Sequence, residues 1–542
     1  MAIPRTTLWL PAVAVLAIGG LVASAARDPL AGPRGGGEAA LPRSRGDDAV
    51  LVAAIDGWFA DRWRAEGIEP AEPADELAVM RRVWLAVAGT VPSLEEIRAF
   101  EADAADDRLT RAIAGIVRQR RAAEGVARRL ASALVGDDGG QFIVFRRDRF
   151  TTWLADSIHA GRSWDGIVHD MVASRGLWTD TPAVNFVTQA AAGGRLEPEK
   201  LAGRVARVFL GQRIDCAQCH DHPFAPWKQR DFEGLAASFA QAKLSGVGVE
   251  DDPRRVYRVD AKANGMGGGR NVVPRVPFGD TWLGGVGTRR ERLAEWVVHP
   301  ENRRFDRAIV NRVWGILFGR AWQEPVDDLP DPPAEAGDLL DLLADDFRTH
   351  GRDIRRLVKL LTSTRVFRLA STHPALDSAA GCDRVERSWA AFPVTRLRPE
   401  QVIGAMVATT SLQTIDQDSH LLTRAIRFFR EIDFVREYGA VQDGSGRPEP
   451  ATIPQALVCM NGKLAREMVQ ANAVTATGRI AGMARDDRAR LDLAFLVTLT
   501  RRPTAEERAA VEPLLAAAAA KGSGVEDVAW TLVNAAEFCW NH

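Results

Sequence analysis

Apolar positions along most of the chain recur at helical rather than strand spacing. Val50, Leu51, Ala54, Ile55, Trp58 and Phe59 share one face of a helix. Leu77, Met80, Val83, Trp84 and Val87 repeat the pattern and stop at Gly89, a residue suited to the left-handed turn that closes a helix. Ser93 with Glu96 forms a capping box, so the next helix is expected over Leu94–Glu101. Ser163 ahead of Trp164 and Asp165 marks another start, and Pro198–Leu210 reads as an amphipathic helix that stops at Gly211. The pattern changes between about 245 and 285. Gly246, Gly248, Gly265 and Gly267–Gly269 break up short β-branched pieces, Val256–Val259 and Val272–Val276, which suggest loops and a small hairpin. Helical spacing resumes near Thr288 and continues to His542. The expected fold class is therefore mainly α, with two helical domains joined by a Gly-rich loop region that could hold a small β hairpin.

The amino terminus follows a different pattern. Arg5 precedes an uncharged apolar run, Leu8–Ala26, that ends in the small-x-small sequence Ala23-Ser24-Ala25. This is expected to be a signal peptide, or an uncleaved membrane anchor, since the run is close to the length of a bilayer span. Either reading places the body of the protein outside the cytoplasm, in the periplasm or at the cell surface. The expected organisation is a signal or anchor over 1–26, a flexible linker over 27–47, a first helical domain over 48–245, a loop-rich connector over 246–287 and a second helical domain over 288–542.

Composition narrows the classes. The 542 residues are 46% apolar and 26% charged, an ordinary globular balance. Seventy basic side chains against 71 acidic ones leave no excess positive charge, which argues against a nucleic-acid partner. Five cysteines are too few for a disulfide scaffold. No nucleophile elbow, Walker loop, dinucleotide fingerprint or zinc-protease motif is present.

Two of the cysteines nevertheless stand in a chemically specific arrangement, Cys216-Ala217-Gln218-Cys219-His220. Cys-x-x-Cys-His is the attachment signature of c-type haem. Two thiols at this spacing reach the two vinyl groups of one porphyrin, and the adjacent imidazole becomes the proximal iron ligand. Cys216, Cys219 and His220 are thus the candidate haem c site, with an extracytoplasmic redox partner implied. A sixth ligand would come from elsewhere, and His159, His169, Met171 and Met460 all remain open. Two other readings fit the same residues. One is a local Cys216–Cys219 disulfide with no cofactor. The other is a zinc site to which His222 contributes as an alternative ligand. Asp221, between the two histidines, could orient an imidazole or serve the turn.

Other candidates are weaker. Asp327 and Asp328, in a Pro-bounded loop, could work as an acid/base pair in a carbohydrate-active enzyme, or could pair with Arg312 or Arg320. Asn311, Arg312 and Trp314 fall on one helix, where Arg312 suits a buried ion pair. Cys382, Cys459 and Cys539 are isolated in sequence. Cys459 and Cys539, in apolar helical settings, read as small core residues.

Several segments together resemble a family of secreted planctomycete proteins that pair a cytochrome-c-like domain of unknown function (PSCyt type) with a planctomycete-specific domain (PSD type). The first is suggested by Met80–Leu85 with Gly89 and Pro92, by Pro182–Phe186, and by Phe209-Leu210-Gly211 running through Cys216–Phe224 to Trp227, Gln229, Asp231 and Phe232. The second is suggested by Arg290–Trp296, Asn311–Trp314, Phe318-Gly319-Arg320, Glu324–Asp328, Pro399-Glu400-Gln401, Gln455–Leu457 with Asn461, and Asn534–His542. The resemblance implies export, a largely helical fold and covalent haem at Cys216, Cys219 and His220. It also suggests an association with polysaccharide-processing proteins. The chain departs from the family at Leu130–Asp138, which lacks the usual aromatic signal, and at Ala334–Ala336, where a Ser-His pair is usual. The separate amino-terminal cytochrome domain often found in the family is absent from the sequence.

Overall fold

The computed structural model describes residues 45–137, 144–259, 269–333, 337–410, 412–414, 438, 452–472, 475–519 and 524–542. The signal or anchor segment, most of the expected linker, the glycines at 265, 267 and 268, and Ala334–Ala336 lie outside the described residues. Helix starts at Arg45, so the last linker positions are already helical. The chain is mainly α, as its spacing predicts. The amino-terminal half contributes α1 (Arg45–Glu66), α2 (Glu76–Ala88), α3 (Leu94–Ala102), α4 (Arg108–Arg118), α5 (Arg120–Val135), α6 (Arg147–His159), α7 (Trp164–Ala173), α8 (Pro198–Phe209) and α9 (Gln229–Phe239). Two hairpins follow, β1 (Ala242–Ser245) with β2 (Gly248–Asp251), and β3 (Tyr257–Val259) with β4 (Arg270–Val272). The second hairpin falls where short β-branched pieces were expected, and the first was not anticipated. The carboxy-terminal half includes α10 (Arg289–Val297), α11 (Arg303–Phe318), α12 (Leu339–Thr349), α13 (Ile354–Ser363), α14 (Ala379–Ser388), β5 (Thr395–Arg396), α15 (Pro399–Thr409) and α16 (Ile453–Asn461). It closes with α17 (Lys463–Val469), α18 (Ala476–Met483), α19 (Asp487–Leu499), α20 (Ala505–Ala519), α21 (Gly524–Val533) and β6 (Trp540–Asn541). No helix among the described residues is long and apolar enough to cross a membrane.

Local signals act where the sequence places them. Ser93 Oγ accepts from the Glu96 N–H at 3.2 Å while Glu96 Oε2 accepts from the Ser93 N–H at 3.0 Å, completing the capping box. Gly89 ends α2 at φ 67°. Ser163 does precede α7, but its side chain makes no capping bond.

The two helical halves are separate in sequence and continuous in packing. One apolar core runs through both. Helix α1 lies against the carboxy-terminal half: Asp48 takes bonds from Arg356 and Lys359, and Trp63 Nε1 donates to the Ser388 carbonyl at 2.9 Å. On α11, Trp314 stacks on Phe318 with ring centroids 4.2 Å apart, and Phe59 of α1 joins the same aromatic cluster. Asn311 clamps the turn after α11, donating to the Gln323 carbonyl and accepting from its N–H. Helix α2 supplies the deepest ties, through Arg81 and Arg82, both fully buried. Arg82 donates to the carbonyls of Phe367, Leu369 and His542, and its guanidinium lies 3.9 Å from the Phe392 ring centroid. Arg81 donates to the carbonyls of Thr498 and Phe538. Burial pushes Arg81 down to about 10 and Arg82 to about 9. Main-chain oxygens take most of the hydrogen bonds from these two guanidinium groups, and the Glu537 charge also favours the charged form of Arg81.

Candidate cofactor site

Helix α8 ends at Phe209, and the chain reverses through Gly211 at φ 62°. A side chain here would be strained, and its Cβ would stand 2.9 Å from Leu329 Cδ1. That close approach joins two distant loops. The Leu329 N–H donates to the Gly211 carbonyl at 2.7 Å, and the Gln212 amide donates to the carbonyls of Gly211 and Leu329. Arg213 then forks onto Asp327, Nε to Oδ1 at 3.0 Å and Nη2 to Oδ2 at 3.2 Å, and its N–H donates to Asp328 at 3.3 Å. The Glu324–Asp328 loop of the carboxy-terminal half therefore forms the base of the segment that leads into Cys216.

The motif begins in a short 3-10 turn, Asp215–Gln218, with Cys219 capping its end and His220 following. Ile214 and Ala217 are buried and pin the turn against the core, while Asp215 lies beside Gly203 of α8, where an added Cβ would meet its carboxylate. This leaves Cys216 and Cys219 as free, exposed thiols on the outer side. His220 is also exposed, and its Nδ1 lies 2.7 Å from the Asp221 carbonyl. A carbonyl can only accept, so Nδ1 carries the proton and the Nε2 lone pair is available to a metal. The expectation for Asp221 resolves in an unexpected way. Its backbone orients the imidazole, while its carboxylate accepts from the Gln229 N–H at the start of α9 and pairs with Lys228. Those contacts, the Gln229 bond first, hold the Asp221 carboxyl below its usual range.

His222 has a different role from the alternative metal ligand expected. Its Nδ1 accepts from the N–H groups of Phe224 and Ala225 at 3.2 and 3.0 Å. The neutral ring then carries its proton on Nε2 and has no lone pair to offer there. Among the described residues, no group of three or more His, Cys, Asp or Glu side chains is placed to hold a metal ion. Beyond His222 the loop splits. Trp227 is buried, donates to Gln212 and lies under the Arg304 guanidinium, whereas Phe224 is 95% exposed.

The other candidates serve packing. Asp327 is buried with both oxygens bound by Arg213, which takes it out of an acid/base pair, whereas Asp328 is exposed and accepts only the Arg213 N–H. The expected partners differ: Arg320 donates to the Glu386 carbonyl, and Arg312 feels the Asp327 charge without bonding it. Burial pushes Arg312 down to about 10. Met171 is wholly buried, and no hydrogen bond or ring contact among the described residues links His159, His169, Met171 or Met460 to the Cys216–His222 segment. Asn185 bonds the Arg146 N–H and the Trp178 and Pro182 carbonyls, which is a structural role.

Sequence reasoning missed one grouping. Cys459 and Cys539, isolated in the sequence, come close enough in the structure for their thiols to influence each other. No sequence signal marks them, because the contact depends on how the carboxy terminus folds back.

Family comparison matches residues 54–244 to PSCyt2, "Protein of unknown function (DUF1549)", and residues 289–515 to PSD1, "Protein of unknown function (DUF1553)". The Cys216–His220 motif lies in the first match, and the Asp327 loop beneath it lies in the second. No curated protein and no solved structure matches the chain.

Proposed function

We propose that this chain, which belongs to the proteins pairing a PSCyt2 domain with a PSD1 domain, is an exported monohaem c-type redox protein whose haem sits on the outer surface. The observation that carries this reading is the state of the motif. Two free, exposed thiols, one in a 3-10 turn and one at its cap, stand beside an imidazole whose Nδ1–H is fixed on a backbone carbonyl. Cys216 and Cys219 would hold the porphyrin through thioethers, and His220 Nε2 would be the proximal ligand. A haem bound there supplies one-electron chemistry at its iron.

The protein's own part is positioning. Ile214, Ala217 and the Arg213–Asp327 fork keep the turn rigid, and the Asp221 carbonyl fixes the ring and its tautomer. Exposed Phe224 offers an apolar face beside the histidine. A cofactor on such a surface suits electron exchange with a redox partner better than chemistry in a closed pocket. Attachment of c-type haem takes place outside the cytoplasm, in keeping with the export signal read at the amino terminus.

The test is expression in a host competent for covalent haem attachment. The expected holoprotein keeps a c-type Soret and α-band after denaturation and gains the mass of one haem. Replacing Cys216→Ala and Cys219→Ala together removes all covalent haem, while the thermal midpoint of the unloaded chain moves by less than about 2 °C because both thiols are exposed. A colourless protein of unchanged mass, with a Cys216–Cys219 bridge or bound zinc, overturns the proposal.

A further inference from the structure

Helix α16 and the carboxy-terminal strand come from distant parts of the chain, and Arg396 bridges them. Its Nη1 donates to Gln455 on α16, one turn before Cys459, at 2.9 Å. Its Nη2 bonds the buried Tyr438 hydroxyl at 2.9 Å. Arg396 is also the register partner of Trp540 in the β5–β6 pair, and the neighbouring Leu397 N–H donates to the Cys539 carbonyl at 2.8 Å. These contacts bring the α16 turn that carries Cys459 and the backbone of Cys539 to the same guanidinium, where the two thiols lie within reach of each other. Cys459 is the buried residue of α16, and Cys539 is half-buried. Both are free thiols in this structure.

We propose that Cys459 and Cys539 are a redox pair, and that their oxidation to a disulfide fastens the carboxy-terminal strand to α16. The two sulfurs are chemically unequal. Proximity to Cys459, with the Arg396 and Arg81 charges nearby, lowers the Cys539 thiol, whereas proximity to Cys539 and burial raise Cys459. Cys539, the more accessible sulfur, is the attacking thiolate. It displaces one thiolate from an incoming protein or low-molecular-weight disulfide, forming a mixed disulfide. Cys459 then gives up its proton and attacks the Cys539 sulfur, releasing the second thiolate. The oxidant leaves as two thiols, and the chain loses two protons and two electrons. Cys382 takes no part, since its Sγ donates to the Leu376 carbonyl at 3.2 Å.

The experiment uses the full chain, exposed to oxidised glutathione, alkylated without reductant and digested. The expected product is one Cys459–Cys539 cross-linked peptide, with Cys382 fully alkylated. Adding reductant lowers the thermal midpoint by about 5 °C, because the bridge closes a loop of roughly 80 residues. The Cys459→Ser/Cys539→Ser variant shows no reductant dependence. If that variant does not fold, the peptide map of the unaltered chain decides. Full alkylation of both cysteines after the oxidant, or scrambled pairing with Cys382, overturns the proposal.

Discussion

The molecule holds two pairs of cysteines that contrast at every level. Cys216 and Cys219 are neighbours in sequence, exposed, and carried on a turn whose buried residues are the ones between and before them. Cys459 and Cys539 are far apart in sequence, largely removed from solvent, and brought together by Arg396. The first pair keeps its spacing wherever the turn forms. The second exists only while the carboxy terminus is docked. Short-range geometry can present a site outward, whereas a long-range contact must be held by the whole fold.

The strongest way to break this contrast is to undock the carboxy terminus without touching a cysteine. Arg82→Met leaves the carbonyls of Phe367, Leu369 and His542 without their donor. The expected loss is about 3 kcal/mol or more, read by denaturant unfolding. Cys539 should then alkylate at once in the folded protein, while the reactivity of Cys216 and Cys219, and the haem attachment proposed for them, are unchanged. Equal loss at both sites would show that the two pairs are not independent.

A smaller effect is expected from acid. Burial alone would raise the Glu537 carboxyl, but bonds from Arg501 at 2.7 and 2.5 Å and from His542 hold it down to about 2. A folded-state value below the usual one means that the stabilisation is present above about pH 4.5 and is lost as the pH falls through about 2. After allowance for solvent screening, about 2 kcal/mol of stability should disappear over that window. Glu537→Gln should flatten this part of the stability–pH profile and loosen the Cys539 end first, as thiol labelling against pH would show.

The smallest effect sharpens the other side. Asp327→Asn removes the charge from the fork that braces Arg213. The expected cost is about 1 kcal/mol, with faster amide hydrogen exchange confined to residues 211–220 and no change in Cys459–Cys539 reactivity. Exchange that rises at the carboxy terminus as well would contradict this local role.

Much of the fold was legible because short-range physics decides it. Gly89 and the Ser93–Glu96 box act within one helical turn, so the residues that end one helix and start the next can be recognised in isolation. The helix ending before Gly211 was readable for the same reason. The β1–β2 hairpin was missed because its glycines, Gly246 and Gly248, read equally well as loop. The Asp327 loop was recognised, but its partner was assigned to Arg312 or Arg320 rather than Arg213. That choice depends on two loops meeting at Gly211, which no local pattern encodes. Arg81 and Arg82 were visible as a motif, yet tandem arginines on a helix ordinarily suggest solvent. Their burial follows from carbonyls that arrive from the other end of the chain.

The sequence by itself determined the helical class, the helix caps and the Cys216–His220 cluster, because each rests on residues within a turn or two of one another. The tertiary structure alone decided that the two halves share one core, that Asp327 braces the segment leading into Cys216, and that His222 spends its lone pair on its own loop. It also decided that Cys459 meets Cys539. The physical reason is the same in each case: burial and long-range hydrogen bonds choose partners by position in space, and only the folded chain sets that position.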